Sequence, residues 1–188
     1  MSLAALREAL LDQGGTLADS IASATPRAPA PGPSPGRGAP QLAASGPRSA
    51  GREREYELLL EMILEGSLLH YGVARLVRSD SRDLALLLGD QLYALGLSRL
   101  AELGDLDAVA ELADLISLLA QAQAVSDDRL AEAIWQAGAA AIGWGQTVEH
   151  AAAKALARAG DSGAADALAV ARKAAVDRGT GRPLGGVS

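Results

Sequence analysis

The chain has 188 residues, a formal net charge of −6 and no cysteine. This length suffices for one domain with its own core, and the lack of cysteine excludes disulfides and thiolate chemistry. The acidic balance argues against binding to nucleic acid, which needs clustered Lys and Arg. With no apolar run of about 18 residues and no basic region at the N-terminus, we expect a cytoplasmic protein without a membrane span.

Residues 1–23 predict a short amphipathic helix. A narrow apolar stripe is formed by Leu3, Leu6, Leu10 and Leu17. A helix of this length is marginal alone and needs a surface on which to dock. Two alternatives are open, because the stripe suits a partner protein as well as the chain's own helical domain.

Residues 24–51 predict a disordered linker. Seven of the eight prolines lie between Pro26 and Pro47, mixed with Gly, Ala and Ser. Such a composition buries too little apolar surface to offset the entropy of ordering the chain. As a random coil the linker would reach about 30 Å.

The remaining pattern predicts an all-α antiparallel helical bundle over residues 52–178, followed by a flexible tail at 179–188. Ala and Leu supply most of its apolar residues, and no strand pattern competes. Caps and breaks place its helices at 53–77, 82–103, 106–123, 126–142, 146–159 and 162–178. The first two are apolar on nearly all sides, which is typical of central helices.

Four short blocks carry a resemblance to a known family. They are Glu61-Met62-Ile63, Ser67-Leu68-Leu69-His70, Leu88-Gly89-Asp90-Gln91-Leu92 and Leu100-Ala101-Glu102-Leu103-Gly104-Asp105. Their order resembles the core of the polyprenyl (isoprenoid) diphosphate synthases, over roughly residues 53–123. The resemblance implies part of the isoprenoid synthase fold.

The aspartate-rich motifs of that family are missing. Tyr71-Gly72 follow His70 where two aspartates should stand, and Asp127-Asp128-Arg129-Leu130-Ala131 lacks the final aspartate of a second motif. In the family these aspartates hold the Mg²⁺ ions that stabilise the leaving diphosphate. We therefore expect no catalysis by the chain alone, no catalytic residue, no metal site and no cofactor, with Mg²⁺ present only if a catalytic partner supplies the site.

The resemblance implies a function through association. Truncated relatives act as the non-catalytic small subunits of heterodimeric prenyl diphosphate synthases, where they influence product chain length. We expect a hetero-oligomer with a full-length synthase, or a homo-oligomer. Two alternatives are a small α-helical adaptor that binds a partner through its tethered N-terminal helix, and a residual prenyltransferase.

Candidate binding residues surround the degenerate first motif: His70, Tyr71, Asp80, Asp83 and Asp90. A hydrogen-bonded helix residue is favoured over a ligand for the histidine, and capping or structural roles are favoured for the aspartates. Trp135 and Trp144 suit either an interface or the core. Glycines inside the predicted helices allow either close helix packing or room for a prenyl chain: Gly66, Gly72, Gly89 and Gly96.

Overall fold

A computed structural model describes residues 3–22, 35–79 and 81–181. Within these ranges the secondary structure is helical, without strands, which confirms the all-α prediction. The α-helices are α1 (Leu3–Leu11), α2 (Gly15–Ala22), α3 (Ala39–Ala44), α4 (Glu53–Tyr71), α5 (Arg82–Glu102), α6 (Leu106–Ala124), α7 (Asp128–Trp144), α8 (Val148–Arg158) and α9 (Ala164–Gly179). A short 3-10 turn, Pro47–Ser49, lies between α3 and α4.

Side-chain caps define the starts of four helices, α5 to α8. The side chains of Ser81, Asp105, Asp127 and Thr147 each accept a hydrogen bond from a backbone N–H in the first turn of the helix that follows. These bonds satisfy donors that have no partner inside the helix. The starts of α5 and α6 therefore fall where the sequence predicts them.

The helix predicted over 53–77 is shorter than expected. α4 ends at Tyr71, and Gly72 N donates to Leu68 O at 2.9 Å. The next amides do not continue the helix, because Leu76 N and Val77 N donate to the carboxylate of Glu65. A side chain of α4 thus replaces the helical acceptors and turns residues 72–79 back along the helix.

Helix α4 is central, as predicted, because it contributes to two apolar clusters. The larger cluster combines α4 with α3, α6, α7, α8, α9 and Leu100 of α5. The smaller one combines the opposite side of α4 with α1, α2, residues 76–77 and one face of α5. Side chains from Leu59 to Ser67 are accordingly all buried.

Helix α5 is not central, which corrects the prediction. It packs against α4 with Leu88, Leu92 and Leu100 buried, but Leu87 on the opposite side is 66% exposed. Its apolar character on nearly all sides is therefore not explained by burial within this chain.

The linker prediction is wrong for residues 35–51, which fold onto the bundle. Helix α3 packs between α4 and α7, and Trp144 Nε1 donates to Leu42 O at 3.2 Å. Ser49 is fully buried and donates to Ala43 O at 2.8 Å. Local composition predicts disorder, but the contacts that order this segment come from distant residues. Residues 24–34 of the predicted linker lie outside the described residues.

The contact between this segment and α7 brings two backbones together. A Cβ on Gly46 would lie 2.0 Å from Gly143 O, and one on Gly143 would lie 2.2 Å from Ala43 O. Neither position has room for a side chain. Arg48 adds a hydrogen bond of 2.9 Å to Ile142 O.

Helices α1 and α2, called here the N-terminal arm, dock on the chain's own bundle. Leu6, Leu10 and Leu17 are fully buried in the smaller cluster, and Leu3 is partly buried against it. This favours the second of the two alternatives drawn from the sequence. The single helix predicted over 1–23 is divided at Gly14, which has a φ of 70°.

No helix within the described ranges is both long enough and apolar enough to cross a bilayer. For these residues, this agrees with the expectation that the chain has no membrane span. Of the predicted tail, Gly179 belongs to α9, and residues 182–188 lie outside the described ranges.

Replacing Gly143 by Ala tests the docking of residues 35–51. Alanine is the better helix former, so a large loss can come only from the clash with rigid backbone. We expect the free energy of unfolding in urea to fall by about 3 kcal/mol. Gly138→Ala is the matched control, because a Cβ there meets only the end of the Leu115 side chain, at 2.7 Å. Equal effects at both glycines would contradict the backbone contact.

Candidate functional site

The region of the degenerate first motif lies where α4 ends and α5 begins. It is organised around Glu65, whose side chain is fully buried. Its Oε1 accepts hydrogen bonds from Leu76 N at 2.6 Å and Val77 N at 3.1 Å. A buried carboxylate needs such partners, because burial without them carries a large desolvation cost.

Arg75 completes this arrangement. Its Nε donates to Glu65 Oε2 at 3.0 Å, and its Nη2 donates to Glu61 Oε2 at 2.7 Å. Gln41 Nε2 lies 3.3 Å from Glu61 Oε1, which connects the segment containing α3 to the same group. Arg75 thus pairs with two carboxylates of α4. The carboxylates of Glu61 and Glu65 therefore already have partners within the chain.

The structure brings His70, Tyr71 and Asp90 together. His70 Nε2 lies 3.1 Å from Asp90 Oδ1, and the His70 ring stacks on Tyr93 with centroids 5.2 Å apart. The ring of Tyr71 lies 5.5 Å from that of His70, at a tilt of 36°. His70 Nε2 is buried, and it forms no hydrogen bond with any described residue.

Burial also affects the hydroxyl group of Tyr93. The hydroxyl of Tyr93 is buried without a hydrogen-bond partner among the described residues. Burial raises the pKa of Tyr93, so this phenol stays neutral at physiological pH. The histidine therefore lies between a neutral aromatic ring and a carboxylate that is 67% exposed.

Of the other two candidate aspartates, Asp83 does not join this group. Asp83 is exposed in the first turn of α5, seven residues before Asp90, which is about 10 Å along a helix. Asp80 lies outside the described residues. Within the described ranges, no group of three or more His, Asp or Glu side chains is placed to hold a metal ion.

Glycines bring α4 and α5 close together. A Cβ on Gly66 would lie 3.0 Å from Gly89 O, and one on Gly89 would lie 2.7 Å from the ring of His70. A Cβ on Gly96 would lie 2.8 Å from Ile63 Cδ1. These three glycines serve close packing, rather than leaving room for a prenyl chain.

A groove of about 290 Å³ opens beside this group. Among the described residues its charged lining consists of Arg78 and Arg82, and its apolar lining includes Leu69, Val77 and Ala85. Arg82 Nη2 donates to His70 O at 2.6 Å and thereby caps the end of α4. Arg78 forms no side-chain hydrogen bond or ion pair with the described residues.

The predicted interface residues are covered by the chain itself. Besides the leucines of the N-terminal arm, Trp135 is buried in the larger cluster. Trp144 is half-buried between Leu42 and α9, where a Cβ on Gly179 would lie within 2.4 Å of the indole. None of these side chains forms an open surface.

A second polar group, between α6 and α8, was missed by sequence analysis. Glu111 is buried, and its two oxygens lie 2.6 Å from His150 Nε2 and 2.6 Å from Lys154 Nζ. Lys154 and Arg158 both reach Asp114 Oδ2 at 2.8 Å. The carboxylates of Glu111 and Asp114 are thus paired with the cationic side chains of Lys154 and Arg158 beside a mostly apolar core.

The pKa shifts of Asp114 and Lys154 follow from their hydrogen bonds to oppositely charged side chains. Burial raises the pKa of Asp114, but hydrogen bonds from Lys154 and Arg158 outweigh it, so this pKa lies below its usual value. Burial lowers the pKa of Lys154, but hydrogen bonds to Asp114 and Glu111 outweigh it and raise the pKa overall. Both groups are therefore charged across the neutral range.

The sequence places Glu111 on the polar face of its helix, with Asp107 and Asp114. The structure instead buries it beside Ala108 and Leu112. The available signal was the position of Glu111 directly next to this apolar stripe, together with the spacing of His150 and Lys154 on one face of another helix. Only tertiary packing brings these faces together.

Glu111→Gln removes the charge that neutralises Lys154 while keeping the shape. We expect the free energy of unfolding to fall by about 3 kcal/mol, because a buried ammonium loses its buried partner. Asp114→Asn, at the exposed edge of the group, is the matched control and should cost below about 1 kcal/mol. Urea unfolding followed by circular dichroism measures both, and equal costs would contradict the burial of Glu111.

The contribution of Asp114 to stability should depend on pH in a defined way. Because its pKa is lowered on folding, its stabilisation is present above the usual value of 3.8 and is lost as the pH falls through the folded value. It also declines when the pH rises above 10.5 through the raised pKa of Lys154. The difference in unfolding free energy between wild type and Asp114→Asn should therefore form a plateau, and a maximum at acidic pH would contradict this.

Comparison with known protein families, curated proteins and solved structures finds no match to this chain. The relationship to polyprenyl diphosphate synthases therefore stays a prediction from short sequence blocks. Function has to be argued from the geometry of the described residues.

Proposed function

We propose that this chain is a non-catalytic helical subunit that associates with a catalytic polyprenyl diphosphate synthase and modulates its activity or product chain length. The proposal combines the sequence resemblance with the outer face of α5. It assigns the chemistry to the partner. The chain itself supplies a packing surface.

The outer face of α5 carries the proposal. An uncharged stripe at helical spacing is exposed along it: Leu87, Gln91, Ala94, Ser98 and Ala101. Residues at such spacing lie on one side of a helix and suit packing against another helix. The sequence of α5 is typical of a buried helix, but this chain covers only one side of it. A helix of a partner protein would cover the outer side.

The polar groups of the degenerate motif support a role without catalysis. Glu61 and Glu65 are engaged by Arg75, and Asp90 lies against His70. A diphosphate–Mg²⁺ centre needs several carboxylates free to bind the metal. The adaptor alternative gains no support, because the leucines that it requires are buried in the smaller cluster.

Co-expression with each catalytic polyprenyl diphosphate synthase of the native host tests the proposal. We expect a complex in size-exclusion chromatography and a changed distribution of product chain lengths. Leu87→Asp should weaken association at least tenfold, since it places a charge in an uncharged helix contact. Val170→Asp on α9, which is 65% exposed, is the matched control and should leave association unchanged.

An absence of complex with every such synthase would refute the proposal. So would a complex that Leu87→Asp and Val170→Asp affect equally, because the surface would then lie elsewhere. Turnover by the purified chain alone, with Mg²⁺ and both substrates, would contradict the assignment of the chemistry to the partner.

A further inference from the structure

The N-terminal arm fills an apolar cleft whose walls come from three parts of the bundle. The cleft is lined by Met62 and Leu69 of α4, by Leu76 and Val77, and by Leu88 and Leu92 of α5. Leu6, Leu10, Leu17 and Ile21 of the arm insert between them and are almost completely buried. The cleft therefore accepts short amphipathic helices with leucines on one face.

The attachment of the arm is almost wholly apolar. A backbone hydrogen bond of 3.3 Å from Arg78 N to Ser20 O joins α2 to the bundle. Among the described residues, no ion pair joins the arm to the bundle. Helices of nine and eight residues are not stable alone, so the arm folds only while it is docked.

The arm leaves part of the binding surface unused. The groove of about 290 Å³ continues from the cleft and shares Leu69 and Val77 with it. Arg78 lies at this open part, and it has no charged partner among the described residues. A longer helix would cover this surface as well as the part that the arm occupies.

The charges of the arm and the groove are complementary. The arm carries Glu8, Asp12 and Asp19, all exposed, against the single basic residue Arg7. Among the described residues, the charged side chains that line the groove are Arg78 and Arg82. Opposite charges around an apolar contact favour one class of partner over others and speed association.

From these observations we infer that the cleft is a docking site for an acidic, leucine-rich amphipathic helix of a partner protein. The N-terminal arm is its resident occupant and is displaced when the partner binds. This inference is independent of the proposed association through α5. Either surface can fail its test without consequence for the other.

A peptide of residues 3–22 serves as the probe, in trans, with the full-length chain as the receptor. In Leu6→Asp/Leu17→Asp the arm should leave the cleft, since two buried leucines become charged. Fluorescence anisotropy of the labelled peptide should show at least tenfold tighter binding to this variant than to the wild type, where the arm competes. Arg78→Glu added to the variant should weaken binding at least threefold, whereas Arg172→Glu on α9 is the matched control and should not.

A second measurement uses the intact arm. Because the chain has no cysteine, Gln13→Cys provides a single exposed site for a fluorophore on the arm. Excess unlabelled peptide should lower the anisotropy of this label as the arm is released. A peptide with Glu8, Asp12 and Asp19 replaced by Gln should be at least threefold less effective.

Equal peptide affinity for the wild type and the arm variant would overturn the inference. So would the absence of binding to a variant that keeps wild-type helicity, or an unchanged label at saturating peptide. A dimer formed by exchange of arms, detected by sedimentation, would assign the cleft to a second copy of this chain and would likewise refute a partner helix.

Discussion

The buried carboxylate of Glu65 is the constraint on which this end of the molecule depends. It lies in a helix that separates two apolar clusters, and its cost of desolvation is offset by Arg75 and two backbone amides. The same contacts end α4, turn residues 72–79 back along it and place Leu76 and Val77 as a wall of the arm's cleft. One buried side chain thus links the end of α4, the path of residues 72–79 and the docking of the arm.

The sequence predicts elements whose determinants are local and misses those that depend on distant packing. The starts of α5 and α6 follow from Ser81 and Asp105, each of which caps its own helix. The fold of residues 35–51 could not be predicted, because its proline-rich composition favours disorder and its ordering contacts come from α7. The exposed side of α5 and the burial of Glu111 were misplaced for the same reason, since helical periodicity does not say which face a neighbour covers.

Two sets of ionisable side chains are paired with each other within the chain, and this limits what the molecule can bind. Arg75 neutralises the carboxylates of α4, and Lys154 neutralises Glu111 between α6 and α8. Such groups specify the packing of helices that are otherwise rich in interchangeable Ala and Leu. Among the described residues, the surfaces that we assign to other molecules are the uncharged outer side of α5 and the apolar cleft beneath the arm.

The union of α3 with α7 also bears on how the chain reaches its native state. Gln136 bonds to Arg37 O and Trp144 bonds to Leu42 O, and these pairs are separated by 99 and 102 positions in the sequence. In contrast, the most extensive contact between long helices joins α4 and α5, which are neighbours in the sequence. Neighbouring helices can meet early, while closure over such a separation costs more chain entropy and comes late. During synthesis, residues 35–51 leave the ribosome well before α7. This segment therefore cannot pack against α7 until residue 144 has also left the ribosome.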